Sequence, residues 1–127
     1  DAGKNGIYVA SKAKYGSEWK AMRDSGWPIV STWINESGPG ESYDWPDLWS
    51  RCVSEAANSA ALVVISREDD VLKGAWVELG AALAAGIPVF AVGISRYSIR
   101  HHPLITHYER ETDAFDAALR AIAEGLA

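Results

Sequence analysis

One acidic residue differs from all its neighbours along a predicted helix. Glu78 is the only charged residue between Gly74 and Ala85, in a stretch of Ala, Leu, Gly, Val and Trp. A helix that is apolar on every side is largely buried, and a carboxylate in it loses its hydration unless hydrogen bonds or ligand groups replace the water. A carboxylate kept in such a place can act as an anionic nucleophile or as a base.

Two interpretations of Glu78 are open at this point. It lies within the first turns after a loop, near the ligand-bearing edge of the predicted sheet, where the helix dipole favours the anion. Alternatively, its carboxylate hydrogen-bonds backbone amides at the start of its own helix, or pairs with Arg67 or Lys73. The residue pattern does not choose between a chemical and a structural role.

The elements that position Glu78 follow from the alternation of short apolar runs with helical patterns. β-Branched runs predict strands, and stretches with caps and helical periodicity predict helices. The predicted strands are 6–10, 28–33, 61–65 and 88–92; the predicted helices are 17–26, 45–59, 74–85 and 112–124; 35–43 is a predicted loop and 93–110 a predicted irregular segment. Ser17 and Thr112 are the predicted caps of the first and last helices.

This order predicts a three-layer α/β fold with a mostly parallel sheet of four or five strands and helices on both faces, of the flavodoxin/Rossmann type. Ligands in such sheets bind beyond the carboxyl ends of the strands. The functional loops are therefore expected near Ser11, Trp33, Ser66 and Gly93.

Bulk properties exclude several classes of protein. The chain has 127 residues, which predicts one domain over 1–127 with a flexible leader at 1–5, and its net charge of -5 disfavours binding to nucleic acid polymers. The single cysteine, Cys52, forms no internal disulfide, and no apolar run approaches the roughly 20 residues that cross a bilayer. We expect a cytoplasmic protein without membrane contact.

Three motifs occur in order along residues 6–93. They are the strand Ile7–Ala10, the strand and acidic loop Ala61–Asp70, and Lys73–Gly80 followed by Ala84–Val89. In this order they resemble the nucleoside 2-deoxyribosyltransferase family, including relatives that hydrolyse the N-glycosidic bond of nucleoside monophosphates.

The resemblance implies catalytic roles for three residues. Glu78 would attack the anomeric carbon and form a glycosyl-enzyme, which a second base or water resolves. Tyr8 would orient that carboxylate, and Asp70, or Asp69 beside it, would donate a proton or hold the substrate. Against these roles stand a core position for Tyr8 and a solvated turn for the two aspartates.

The resemblance also implies a substrate-binding set. It consists of Ser11, Lys12, Trp33, Asp47, Ser66, Asp69 and Gly74. Several members have structural alternatives: Asp47 suits the first turn of a helix, and most tryptophans belong to the core. The alternative is that Trp33, Trp45 or Trp49 stacks on a nucleobase. Family members often have Gly and Pro after the first strand, where this chain has Ser11 and Lys12, so a 5′-phosphate site there is a hypothesis.

No cofactor or metal is predicted. His101, His102 and His107 lack the helical spacing with which two histidines hold one metal, so we expect exposed loop histidines, with a proton shuttle as the alternative.

The leading hypothesis is transfer or hydrolysis of the N-glycosidic bond of a (deoxy)nucleoside or nucleoside monophosphate. The alternative is a non-catalytic module that senses a nucleotide-derived ligand, and a third option is a structural partner protein. A homodimer is also expected from the resemblance.

Overall fold

The computed structural model describes residues 5–36 and 44–125, which form a three-layer α/β fold. Four parallel strands lie in the order of the chain, namely β1 (Ile7–Ala10), β2 (Ala61–Ile65), β3 (Val89–Val92) and β4 (Ile105–Tyr108). Four helices surround them, namely α1 (Gly16–Asp24), α2 (Trp45–Asn58), α3 (Gly74–Ala84) and α4 (Glu111–Ala123). The predicted fold class is confirmed.

The centre of the sheet is apolar on both faces. Every residue of β1, β2 and β3 is buried, and their registers align Tyr8 with Leu62 and Val63 with Phe90. Strands covered on both faces need continuous apolar runs, which is why these three were predictable from sequence.

The helices cover the two faces of the sheet. Helices α2 and α3 pack together, and α3 contacts β1, β2 and β3. Helix α4 packs on β2 and β3, and its Phe115 ring lies 5.6 Å from Trp19 of α1 and 5.8 Å from Trp27. The crossover through α1, from β1 to Ile29, runs in one direction along the sheet, and the crossovers through α2 and α3 run in the other. Because each crossover is right-handed, α1 lies on one face and α2 and α3 lie on the other.

The strand predicted at 28–33 is wrong except for one residue. Ile29 forms a single parallel bridge with Ile7, and Thr32–Glu36 is a 3₁₀ helix in which Trp33 is buried. The cause is a pair of hydrogen bonds to α2: the Thr32 amide and hydroxyl donate to the Glu55 carboxylate at 2.9 and 2.8 Å. These hydrogen bonds hold Thr32 against α2, so the chain after Ile29 does not continue along the edge of the sheet. The rest of the predicted 35–43 loop lies outside the described residues.

The bridge at Ile29 nevertheless defines the topology. The segment around Ile29 lies outside β1, so the chain visits that edge first and then returns to β2 on the other side of β1. This is the flavodoxin-like arrangement, and its topological switch point lies between β1 and β2. A ligand site is expected at the carboxyl ends of these two strands.

Other boundaries also differ from the predictions. The segment predicted as irregular contains β4, an edge strand whose Thr106 is exposed and whose pattern is therefore less apolar than that of a central strand. Ser17 and Thr112 lie inside α1 and α4, which begin one residue earlier, and neither helix has a side-chain cap. Helix α3 is buried on one side only, since Val77 is half exposed.

No helix among residues 5–36 and 44–125 is long and apolar enough to span a membrane.

Arg67 joins three parts of the fold, and its replacement by lysine is expected to lower the free energy of unfolding by about 1–2 kcal/mol. Its guanidinium makes paired hydrogen bonds to Glu18 of α1 (2.6 and 2.8 Å) and to Glu111 of α4 (2.8 and 2.9 Å), and lies 4.3 Å from the Tyr15 ring centre. Lysine keeps the charge but loses this bidentate geometry. Urea denaturation measures the effect, with Arg120→Lys on exposed α4 surface as control; equal midpoints for both variants would contradict it.

Candidate functional site

A cavity of about 260 Å³ opens at the switch point between β1 and β2. Its walls come from the loop after β1, the 3₁₀ helix, the first half of α2 and the start of α3. The lining residues are Ser11, Lys12, Ala13, Trp33, Trp45, Leu48, Trp49, Cys52, Lys73, Gly74, Ala75 and Glu78. Five of the ten predicted site residues meet here: Glu78, Ser11, Lys12, Trp33 and Gly74.

Helix α2 supplies an apolar wall. Trp45, Leu48, Trp49 and Cys52 recur at helical spacing and therefore share one face. Asp44 fixes where that face begins, because its carboxylate caps the helix by accepting from the Asp47 amide at 3.1 Å. Trp45 and Trp49 are 51% and 41% exposed, so their rings lie at the mouth of the cavity.

Glu78 is the carboxylate of this cavity. Glu78 is only 7% exposed and forms no salt bridge with a described residue; the Tyr8 hydroxyl is close enough to act on its charge, although by strict geometry that contact falls short of a hydrogen bond. Burial raises the pKa of Glu78 to about 7, the charge of Glu55 raises it further, and the neighbouring Tyr8 hydroxyl opposes the rise. The predicted pairing with Arg67 or Lys73 is absent within the described residues, since Arg67 is bound to Glu18 and Glu111. The acid is therefore buried, open to the cavity and without a cationic partner in the described parts of the chain.

The Tyr8 hydroxyl lies behind Glu78, at the buried end of the site. It is inaccessible to solvent and meets no partner at strict hydrogen-bonding geometry among residues 5–36 and 44–125, although Glu78 and Cys52 are close enough to influence its pKa. Burial is the main reason that the pKa of Tyr8 is raised, and burial raises the pKa of the Cys52 thiol to about 11. Both groups are thus neutral, and the phenol is placed to donate to the Glu78 carboxylate once that carboxylate ionises.

The start of α3 forms the opposite rim. The first amides of any α-helix lack partners within the helix, and Lys73, which precedes α3, supplies no side-chain cap for them. Gly74 lies against the Trp49 ring, and a Cβ on Gly74 would come within 3.0 Å of it. Glycine at this position lets α2 and α3 approach closely at the cavity.

The loop after β1 is held by specific hydrogen bonds. The Ser11 hydroxyl accepts from Trp19 Nε1 at 2.8 Å and donates to the Lys12 carbonyl at 3.0 Å. Trp33 Nε1 donates to the Val9 carbonyl at 2.9 Å, which fixes that ring in the wall. Ser11 and Trp33 therefore shape the cavity, and their polar atoms already have partners.

The structure does not bring Asp70 to this cavity. Its buried carboxylate accepts from the Tyr15 hydroxyl at 2.9 Å and the Arg67 amide at 2.8 Å, and lies 3.7 Å from Lys14. Burial opposes ionisation, but these donors and the lysine charges outweigh it and lower the pKa of Asp70. Asp70 anchors the loop before α3, and Asp69 beside it is exposed with a left-handed φ of 66°.

Two other predicted binding residues also lie elsewhere. Asp47 is exposed on the first turn of α2 and pairs with Arg51 at 2.9 Å, in agreement with its structural alternative. Ser66 lines a separate depression with Gly93 and His107, beyond the ends of β2 and β3.

Two of the three histidines accept hydrogen bonds from backbone amides. His107 Nε2 accepts from the Ile94 amide at 3.3 Å and His102 Nδ1 from the Leu104 amide at 3.0 Å, while burial lowers the pKa of His107. No group of three potential His, Cys, Asp or Glu ligands occurs within the described parts of the chain.

Sequence reasoning missed several lining residues, namely Ala13, Leu48, Cys52, Lys73 and Ala75. The helical periodicity of α2 could have identified two of them, because Leu48 and Cys52 share a face with Trp45 and Trp49. Glu55, whose charge acts on Glu78, carried no local signal, since only the tertiary fold brings α2 beside α3.

The sequence matches no family model, and a search among curated proteins finds no match.

Proposed function

We propose that this protein transfers or hydrolyses the N-glycosidic bond of a (deoxy)nucleoside or nucleoside monophosphate, with Glu78 as nucleophile. The observation that carries the proposal is a buried Glu78 carboxylate that has no cationic partner in the described structure and lines a cavity at the topological switch point. A carboxylate in such a place is unfavourable for folding, and apart from the Tyr8 hydroxyl it has no polar partner among the described residues, so we assign its use to a bound ligand.

The chemistry requires a carboxylate on one face of the sugar. A Glu78 oxygen would bond to C1′ as the C1′–N bond breaks, and the electron pair of that bond would leave with the base, which takes a proton. Water or a second base would then attack C1′ and release the Glu78 carboxylate. Tyr8 supports this sequence as a neutral, buried hydroxyl next to Glu78.

The aromatic wall supports recognition of a flat base. Trp33, Trp45 and Trp49 line the same cavity as Glu78, and stacking of a base on an aromatic ring contributes about 1–3 kcal/mol. The position of Asp70 argues against its predicted role as proton donor. Solvent at the cavity mouth is the remaining proton source for the leaving base.

The direct test is release of free base. The purified protein is incubated with each deoxynucleoside and each deoxynucleoside 5′-monophosphate, and the products are separated by chromatography. Base release, or base exchange when a second base is added, supports the proposal. Nucleotide binding without any release of base would favour the sensor instead. The described cavity wall contains only one carboxylate, Glu78, and therefore has no second carboxylate to act as an acid, which is consistent with a sensor.

Activity is expected to rise with pH until about pH 7. The nucleophile is the ionised form of Glu78, and burial raises the pKa of that group to about 7. The value of kcat/KM should therefore increase about tenfold per pH unit below this point and level off above it. A nucleoside substrate is used, because a phosphate monoester itself titrates near pH 6. A flat profile between pH 5 and 7 would contradict ionised Glu78 as the reacting group.

A further inference from the structure

Another depression lies at the carboxyl edge of the sheet, apart from the Glu78 cavity. It has a volume of about 540 Å³ and lies beyond the ends of β2, β3 and β4, where α4 begins. None of the described residues that line it also lines the Glu78 cavity. The glycosidic chemistry proposed above makes no use of this depression.

The Ser66 hydroxyl is a polar group without a partner in this depression. Ser66 follows β2 and is only 7% exposed, and its hydroxyl forms no hydrogen bond with another described residue. Among the described residues, the Tyr8 hydroxyl is the one unpartnered side-chain atom that is sealed from solvent, so the Ser66 hydroxyl is still reached from the depression. A largely buried hydroxyl that lacks a hydrogen bond is unfavourable, and a ligand in the depression would satisfy it.

The ends of β3 and β4 contribute a second donor. The Ile94 amide donates to His107 Nε2 at 3.3 Å, which places the ring proton on Nδ1. Burial lowers the pKa of His107, so the ring is neutral near pH 7, and Nδ1–H has no acceptor among the described residues. Gly93 has a left-handed φ of 83°, and a Cβ there would collide with the Ser66 carbonyl. Glycine therefore keeps this part of the wall free of a side chain.

The start of α4 contributes backbone donors. This helix has 13 residues and no side-chain cap at its N-terminus, and the Ala114 amide donates to the Arg110 carbonyl at 3.2 Å. The amides of residues 111–113 precede that bond and have no partner within the helix. Glu111 and Thr112 belong to the wall of the depression, where the helix dipole favours an anion.

The charged side chains of the wall do not supply the donors. Arg67 and Arg110 each pair with a carboxylate of α4. Glu68 and Glu109 are exposed and form no ion pair with a described residue. An anion in this depression would therefore be held by neutral donors, and the two exposed carboxylates would limit its affinity.

We infer that this depression binds a tetrahedral oxyanion, phosphate or sulfate, through the Ser66 hydroxyl, His107 and the first amides of α4. The donors come from three elements, and a tetrahedral anion offers four acceptor oxygens to them, whereas a carboxylate offers two. The site goes beyond the proposed function and does not depend on Glu78.

The test is a titration of the nitrogen-15-labelled protein with sodium sulfate at constant ionic strength. Sulfate stays a dianion near neutral pH, so its charge does not change during the experiment. We expect saturable shifts of the amide resonances of residues 111–113 with a millimolar Kd, and about tenfold weaker binding in Ser66→Ala. Ser54→Ala, on the exposed surface of α2, is the matched control and should bind sulfate like the wild type.

A second pair of variants tests the backbone donors. Arg110→Asp places a carboxylate at the N-cap of α4, where it accepts from the same amides, so sulfate binding should be lost. Arg110→Gln removes the same positive charge without supplying that carboxylate and should retain most of the affinity. Equal loss in both variants would mean that the arginine charge holds the anion, which contradicts the inference.

Inorganic phosphate and glycerol 3-phosphate are titrated in the same way, because the anion could be a free ion or a phosphate monoester. Tighter binding of one assigns the source, and either result supports the site. Absence of saturable shifts, shifts confined to residues outside the depression, or unchanged affinity in Ser66→Ala overturns it. Glu78→Gln should bind sulfate like the wild type, so a failure of the glycosidic chemistry leaves this result unchanged.

Discussion

Replacement of Glu78 by glutamine is expected to reduce base release on the order of a thousandfold or more. Glutamine preserves the shape of the side chain but cannot form the bond to C1′. Because the amide is nearly isosteric, the tryptophan wall and ligand binding should persist, so the loss falls on kcat rather than on KM. Single-turnover base release with saturating substrate measures the effect.

Two further variants make this prediction specific. Glu68→Gln changes an exposed carboxylate outside the cavity and should retain full activity. Glu78→Ala leaves a space beside C1′, so added formate is expected to restore part of the rate in that variant and not in Glu78→Gln. Base release that continues at the wild-type rate in Glu78→Gln rules out the nucleophilic role.

The same replacement is expected to stabilise the fold at alkaline pH, by about 3 kcal/mol at pH 8. The pKa of Glu78 is about 7 in the folded protein against an ordinary value of 4.5, so ionisation of this side chain opposes folding. Below pH 4.5 the acid is protonated in both states and contributes no difference. Between pH 4.5 and 7 the unfolded chain binds fewer protons, so the wild-type free energy of unfolding falls as pH rises.

Urea denaturation of both proteins across pH 4 to 8 checks this. The difference in free energy of unfolding between Glu78→Gln and wild type should grow from pH 4.5 to 7 and then stay constant. A glutamine variant that is less stable than wild type at pH 8 would mean that the partners of the charged carboxylate outweigh its burial, contrary to the raised pKa of Glu78.

The fold was largely predictable because its central strands carry a strong signal. Runs such as Ala61–Ile65 are buried on both faces, and a short continuous apolar run of this kind suits few structures other than a central strand. The errors lie where tertiary contacts determine the local structure. Thr32 leaves the sheet edge because it donates hydrogen bonds to the Glu55 carboxylate, 23 positions later in the sequence. β4 was missed because an edge strand keeps polar residues such as Thr106.

The site was predictable only in part, for a similar reason. Glu78 was identified because an isolated carboxylate conflicts with an apolar helix, which is a local property. The placement of Asp70 depends on the Tyr15 hydroxyl, 55 residues away in sequence, and no local pattern indicates that hydrogen bond. Lys73 joined the site only because the fold brings the start of α3 to the same cavity as the loop after β1.

The most direct test of the central claim is to trap the sugar on the protein. The chain is incubated with 2′-fluoro-2′-deoxyarabinosyl nucleosides and their 5′-monophosphates, whose fluorine slows hydrolysis of a glycosyl ester, and the intact mass is then measured. We predict addition of one fluorinated sugar unit, located by peptide mapping on Glu78 and absent from Glu78→Gln. An adduct on another residue, or base release without any adduct on Glu78, would contradict the account.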